Sequence, residues 1–151
     1  MKIAIGSDHA GYDGKELAKQ VLGSLGVEIL DKGTSGPESV DYPDFGAAVG
    51  RAVASGEAER GVLMCGSGIG ISMAANKVPG VRAALCWNEE TARLARRHND
   101  ANVLCIGARL VEPDEAARII RAFFETDFEG GRHQQRVDKL AELDGVKTGG
   151  S

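Results

Sequence analysis

The chain has 151 residues, 42% of them hydrophobic and 26% charged, which suits one compact domain with its own core and is too short for two. Its formal charge of −4 gives no net basic field, and this excludes a general binder of nucleic acid or acidic membrane. Cys65, Cys86 and Cys105 include no CxxC pair, so they form neither a disulfide framework nor a zinc pattern, and a reducing cytoplasm is the expected compartment.

MKIAIGSD opens directly on a strand over residues 2–5, with no cleavable signal and no apolar run long enough to span a bilayer. A helix is expected from Gly14, with Leu17, Val21 and Leu25 on one face at four-residue spacing. VEIL (27–30) reads as the second strand, closed by the turn Asp31-Lys32-Gly33, and 34–43 as a polar loop. Phe45, Val49 and Val53 mark a helix ending near Gly56. GVLMC (61–65) is the third strand, and a glycine-rich loop leads from it into the helix ISMAAN.

VRAALCW (81–87) is expected as the fourth strand, and Asn88 caps a helix with Thr91, Ala95 and His98 on one stripe. Arg93, Arg96 and Arg97 read as a solvated face of that helix. NVLCIG (102–107) is the fifth strand. Pro113 and Asp114 open a helix with Ala116, Ile119, Ile120, Phe123 and Phe124 in clear period. Residues 129–131 break it, and a last helix carries Arg132, Arg136, Val137 and Leu140. The domain is expected over 1–143, with a disordered tail over 144–151. Strands alternating with helices predict an α/β fold, one three-layer α/β/α Rossmann-like domain around a five-stranded parallel sheet.

Ligands bind such sheets at the carboxyl ends of the strands, where the winding reverses. Ser7-Asp8-His9 follows the first strand and Cys65-Gly66-Ser67-Gly68-Ile69-Gly70 the third, so a 2-1-3 strand order places both at one crevice. A glycine loop feeding a helix presents backbone N–H groups beside a positive helix end and suits an anion, although a tight strand-to-helix turn has the same composition. It is not a Walker loop, since no Lys-Ser or Lys-Thr follows, and it lacks the third glycine of a dinucleotide fingerprint. A thiol at a helix N-terminus is biased toward thiolate, which makes Cys65 a candidate base for a carbon-bound proton. Cys86 and Cys105 lie inside apolar strands and read as core.

Asp8-His9 suits contact with a sugar hydroxyl and an anion, although such a pair in a turn more often makes a cap or turn bond. His98 ends its helix, where capping is the simplest role. Arg132 and Arg136, spaced i, i+4, share a helix face and present two forks that match a phosphate, where a solvated basic face is the alternative. Histidines 9, 98 and 133 show no metal-ligand spacing, so no metal is expected.

Taken together, GSDHAG, DKGT, DYPDF, CGSGIGISMAANK, RRHNDANVLCIGAR and EGGRHQQRV resemble the ribose-5-phosphate isomerase type B family, which also includes galactose-6-phosphate and allose-6-phosphate isomerases. The likeness runs from Met1 to Leu143 with order and spacing kept. It implies reversible conversion of ribose 5-phosphate to ribulose 5-phosphate through a cis-enediolate, without a cofactor. By the same resemblance Cys65 is the base and Gly66, Ser67, Gly68, Ile69 and Gly70 form the anion hole. Asp8, His9 and Tyr42 lie at the substrate. His98 opens the furanose ring with Asn99 beside it. Arg132 and Arg136 clamp the phosphate, and Arg109 adds a basic contact. The partners it implies are a small sugar phosphate and a second copy of the chain, in a homodimer or dimer of dimers whose subunits share active sites. Relatives without the loop cysteine use a carboxylate a few residues on, where this chain has Ile71, and Ser67 stands where threonine is common. The competing expectations are isomerisation of a tetrose 4-phosphate, allose 6-phosphate or galactose 6-phosphate, and a non-catalytic phosphate- or nucleotide-binding module.

Overall fold

The computed structural model describes residues 1–149, with side chains described through 145. Five strands, β1 (Lys2–Ser7), β2 (Glu28–Asp31), β3 (Arg60–Cys65), β4 (Ala83–Leu85) and β5 (Val103–Gly107), form one parallel sheet in the order β2-β1-β3-β5-β4. Between and after them run α1 (Tyr12–Ser24), α2 (Tyr42–Ala54), α3 (Ile69–Asn76), α4 (Glu89–Asn99), α5 (Pro113–Phe124) and α6 (Arg132–Gly149). The expected α/β class and strand count hold, and β1 and β3 are neighbours.

Strand residues alternate between two cores because successive side chains leave opposite faces of a sheet. Ile3, Ile5, Val62, Met64, Leu104 and Ile106 pack with α1, α4 and α5. Ala4, Leu63, Cys65, Val103 and Cys105 pack toward α2 and α3 on the other face. The central strands β1, β3 and β5 are buried almost throughout, as apolar runs without alternation require. The two edge strands are only partly covered.

Several boundaries differ from the sequence reading, each for a local reason. The fourth strand shrinks from 81–87 to three residues. Arg82 spends its N–H on the Asn102 side chain at 2.7 Å, and Asn76 holds Ala83 from both sides at 2.8 and 3.0 Å, so side chains replace ladder partners at this edge. α1 begins two residues before Gly14, behind a turn in which Asp8 Oδ1 accepts the Gly11 N–H at 3.0 Å. α6 runs on to Gly149, through much of the segment expected as a tail; residues 150 and 151 lie outside the described residues.

Arg96 overturns its reading as a solvated side chain. It is 4% exposed and donates to Asp100 Oδ1 at 2.8 Å, to the Ala101 carbonyl at 2.7 Å and to the Thr126 carbonyl at 3.2 Å. Its guanidinium also lies 5.7 Å from the Phe123 ring centre. Arg96 thereby ties the end of α4 to the segment after α5, while Asp100, at φ 47°, closes the helix in the left-handed region.

Candidate active site

The sheet order puts the ends of β1 and β3 side by side, and a cleft of about 640 Å³ opens there. Asp8, Tyr42, Cys65, Gly66, Ser67, Ile69, Gly70, Met73, Arg109 and Leu110 line it. This is the crevice position that strand-order reversal creates in open parallel sheets.

Cys65 is the last residue of β3 and only 4% exposed. Its Sγ accepts the Gly68 N–H at 3.1 Å. That bond is possible because Gly68 folds the loop back at φ 78°, in the left-handed region. A Cβ on Gly68 would also fall 2.5 Å from Leu85 and 2.9 Å from the Gly107 nitrogen, so no side chain fits there. α3 starts immediately afterwards, and the Ser67 hydroxyl accepts the Ile69 N–H at 3.2 Å. The sulfur therefore sits against the N-terminal end of a helix, whose first amides carry partial positive charge.

The other two cysteines differ from Cys65 in setting. Burial pushes the Cys86 thiol up to about 11, despite a weak opposing bond to Thr91. Burial also raises Cys105 well above the ordinary thiol range, with Cys86 and Cys65 adding to it. Both belong to the core, as their sequence context indicates.

The remaining cleft residues are placed by backbone contacts. Ala108 and Arg109 donate their N–H groups to the carbonyls of Cys65 and Gly66 at 2.9 and 3.0 Å, bringing the Arg109 side chain over Gly66. Tyr42 opens α2, and its ring covers Gly70 so closely that a Cβ there would lie 2.5 Å from Cζ. His9 is outside the lining; its Nδ1 accepts the Val40 N–H at 3.2 Å and so anchors the 34–41 loop beside the cleft.

His98, Asn99, Arg132 and Arg136 do not line this cleft. Asn99 borders a separate cavity of about 450 Å³ with Asn76, Arg82 and Leu140. Arg132 and Arg136 are exposed on α6, and neither side chain makes a hydrogen bond or ion pair among the described residues. His98 stacks on His133, with ring centres 4.3 Å apart and planes 14° apart. Glu129 Oε1 lies 3.9 Å from His98 Nε2 and 3.4 Å from His133 Nε2. Two of the three histidines, without ligand spacing in the sequence, thus meet in the fold. The sequence also missed Met73 and Leu110, for which only helix spacing from Ile69 and adjacency to Arg109 gave any signal. Glu129 had none.

A Rossmann-like α/β domain with one buried thiol lining a crevice at the strand ends, beside a glycine-rich loop, is the class that fold and site define. A family model described as "Ribose/Galactose Isomerase" matches residues 3–140. Ribose-5-phosphate isomerase B of Escherichia coli is 46% identical over 143 residues, covering 95% of this chain and 96% of that protein. Among solved structures, ribose-5-phosphate isomerase B of Clostridium thermocellum is 52% identical with a TM-score of 0.95, over 97% of this chain and 99% of that one. The type B enzyme of Trypanosoma cruzi is 44% identical with a TM-score of 0.94, over the same two shares. The chain belongs to the ribose/galactose isomerase family.

Proposed function

We propose that this protein interconverts ribose 5-phosphate and ribulose 5-phosphate through a cis-enediolate. The observation that carries the reading is Cys65 Sγ, held by the Gly68 N–H on the floor of a cleft that also presents the start of α3. The thiolate removes the proton from the carbon beside the carbonyl. The C–H electron pair becomes the carbon–carbon double bond, and the carbonyl π pair moves onto oxygen. Loop amides within residues 66–70, other than the Gly68 and Ile69 N–H groups given to Cys65 Sγ and Ser67, stabilise that developing charge. The proton returns to the neighbouring carbon, the proton of the second oxygen passes to the first, which becomes a hydroxyl, and the carbonyl has moved one position. Base and oxyanion donors both come from the chain, so the reaction as written calls on no cofactor.

In this reading Asp8, His9 and Tyr42 hold the sugar, and Arg109 supplies a positive charge at the cleft. His98, with Asn99, opens the furanose ring, and Arg132 and Arg136 grip the phosphate. Because these last four lie away from the cleft of their own chain, we assign them to the site of a neighbouring copy, in a homodimer or dimer of dimers. The exposed apolar side chains of Ile69, Met73 and Leu110 around the cleft support coverage by a second protomer. Among the described residues no helix is long and apolar enough to cross a membrane. We place the enzyme in the cytoplasm, a setting that suits three unpaired cysteines.

Measuring kcat/KM on four-, five- and six-carbon sugar phosphates tests the assignment. The five-carbon substrate should lead by at least roughly tenfold, a margin of about 1.4 kcal/mol in transition-state binding. A preference for galactose or allose 6-phosphate would replace the substrate. Absence of turnover on all of them would end the enzymatic reading.

A further inference from the structure

The geometry points to a binding site for a borderline divalent cation of the zinc class, formed by His98 Nε2, Glu129 Oε1 and His133 Nε2. One ligand atom from each of the three residues lies within 4.8 Å of the other two. In a tetrahedral zinc site, bonds of roughly 2.0–2.2 Å put neighbouring ligand atoms about 3.4 Å apart. Glu129 and His133 already stand at 3.4 Å, and Glu129 and His98 at 3.9 Å, about half an ångström too far. His98 and Glu129 have that gap to close. Both are substantially exposed, whereas His133 is nearly buried and forms the fixed corner.

The backbone supports this convergence. Gly130 and Gly131, at φ 67° and 54°, reverse the chain so that Glu129 lies over the first turn of α6 and faces His133. The Glu129 N–H donates to the Arg97 carbonyl at 3.1 Å, which fixes the loop beside the end of α4 and brings His98 in. The near-parallel rings must splay so that both nitrogen lone pairs meet one ion, and the broad torsion at the imidazole bond allows it. Two imidazoles and one carboxylate select zinc, nickel, cobalt or copper over magnesium or calcium, which require oxygen-rich shells. The set leaves coordination positions open to solvent or ligand.

A cation here would occupy the imidazole nitrogen of His98 and so inhibit the isomerase. That kinetic consequence rests on the function proposed above; the binding itself does not.

Isothermal titration of the metal-free full chain with Zn²⁺ should show one site per chain that Mg²⁺ does not fill. Glu129→Gln and His133→Ala should each weaken it at least roughly 100-fold, since loss of a direct ligand exceeds the effect of an outer-shell change. Cys65→Ser should leave it intact, and Co²⁺ bound there should lack the charge-transfer band of a thiolate. Zinc uptake that is absent, unchanged by the Glu129 and His133 substitutions, or dependent on Cys65 would overturn the site. In activity assays, Zn²⁺ should inhibit reversibly, with EDTA restoring turnover. Site-dependent binding without inhibition would uphold the metal site and instead remove His98 from the reaction.

Discussion

The cleft beside Cys65 and the α4–α6 end beside His98 are built by opposite means. At the cleft, backbone does most of the work: strand ends, a left-handed glycine and paired amide bonds hold short side chains against a helix start. Its key residues fall within six consecutive positions, 65–70. At the other end, long side chains on helix termini reach into solvent, and residues more than thirty positions apart meet through ring stacking and one carboxylate. Under the function proposed above, proton removal from carbon would benefit from the first construction, because a base and oxyanion donors fixed by backbone cannot drift. Gripping a charged group or opening a ring would tolerate the second, since a ligand can order those side chains on arrival.

Cys65→Ala gives the largest effect that this contrast predicts. It should cut kcat about 10³-fold, the size of a general base's contribution, with little change in thermal stability. Near-normal turnover would remove the thiol from the mechanism and erase the distinction between the two regions.

Arg96→Ala comes next. It removes a buried guanidinium from Asp100 and from two carbonyls, and should cost about 3 kcal/mol in denaturant unfolding. Because Arg96 anchors the end of α4 rather than the cleft, the variant should loosen the His98 region first, visible as faster amide exchange across 97–101. Equal loosening at residues 65–70 would argue that the two regions form one cooperative unit.

Arg136→Ala should raise KM for ribose 5-phosphate by tens of fold, about 1.5–3 kcal/mol for a hydrogen bond to a charged group, with a smaller change in kcat. An unchanged KM would refute the phosphate clamp.

The smallest effect concerns the core on which both regions rest. The folded Cys86 thiol titrates near 11 because burial disfavours its thiolate, whereas an unfolded thiol titrates near 9. The folded state then holds the proton longer, so Cys86 stabilises the fold below pH 9 and loses that contribution as pH rises from 9 to 11. Cys86→Ala should flatten the decline in stability over that window. An identical slope in the variant would show that the thiol is not held neutral by burial.

The sequence by itself determined the layered α/β architecture, the central strands and the position of the 65–70 loop at the crevice. Apolar runs can be buried on both sheet faces only in that arrangement, and CGSGIG keeps thiol, turn and helix start within local reach. Family likeness extended the reading to Arg132, Arg136 and His98. Tertiary structure decided what depends on distant neighbours. Arg96 reads as solvated until Asp100 and Thr126 close around it, and the fourth strand reads as seven residues until Asn76 and Asn102 take its edge bonds. The pairing of His98 with Glu129 and His133 follows from a glycine turn and the docking of α6 beside α4, which no local spacing encodes. Short-range periodicity reports which face of an element is apolar, whereas the partner a polar side chain finds is set only when the elements pack.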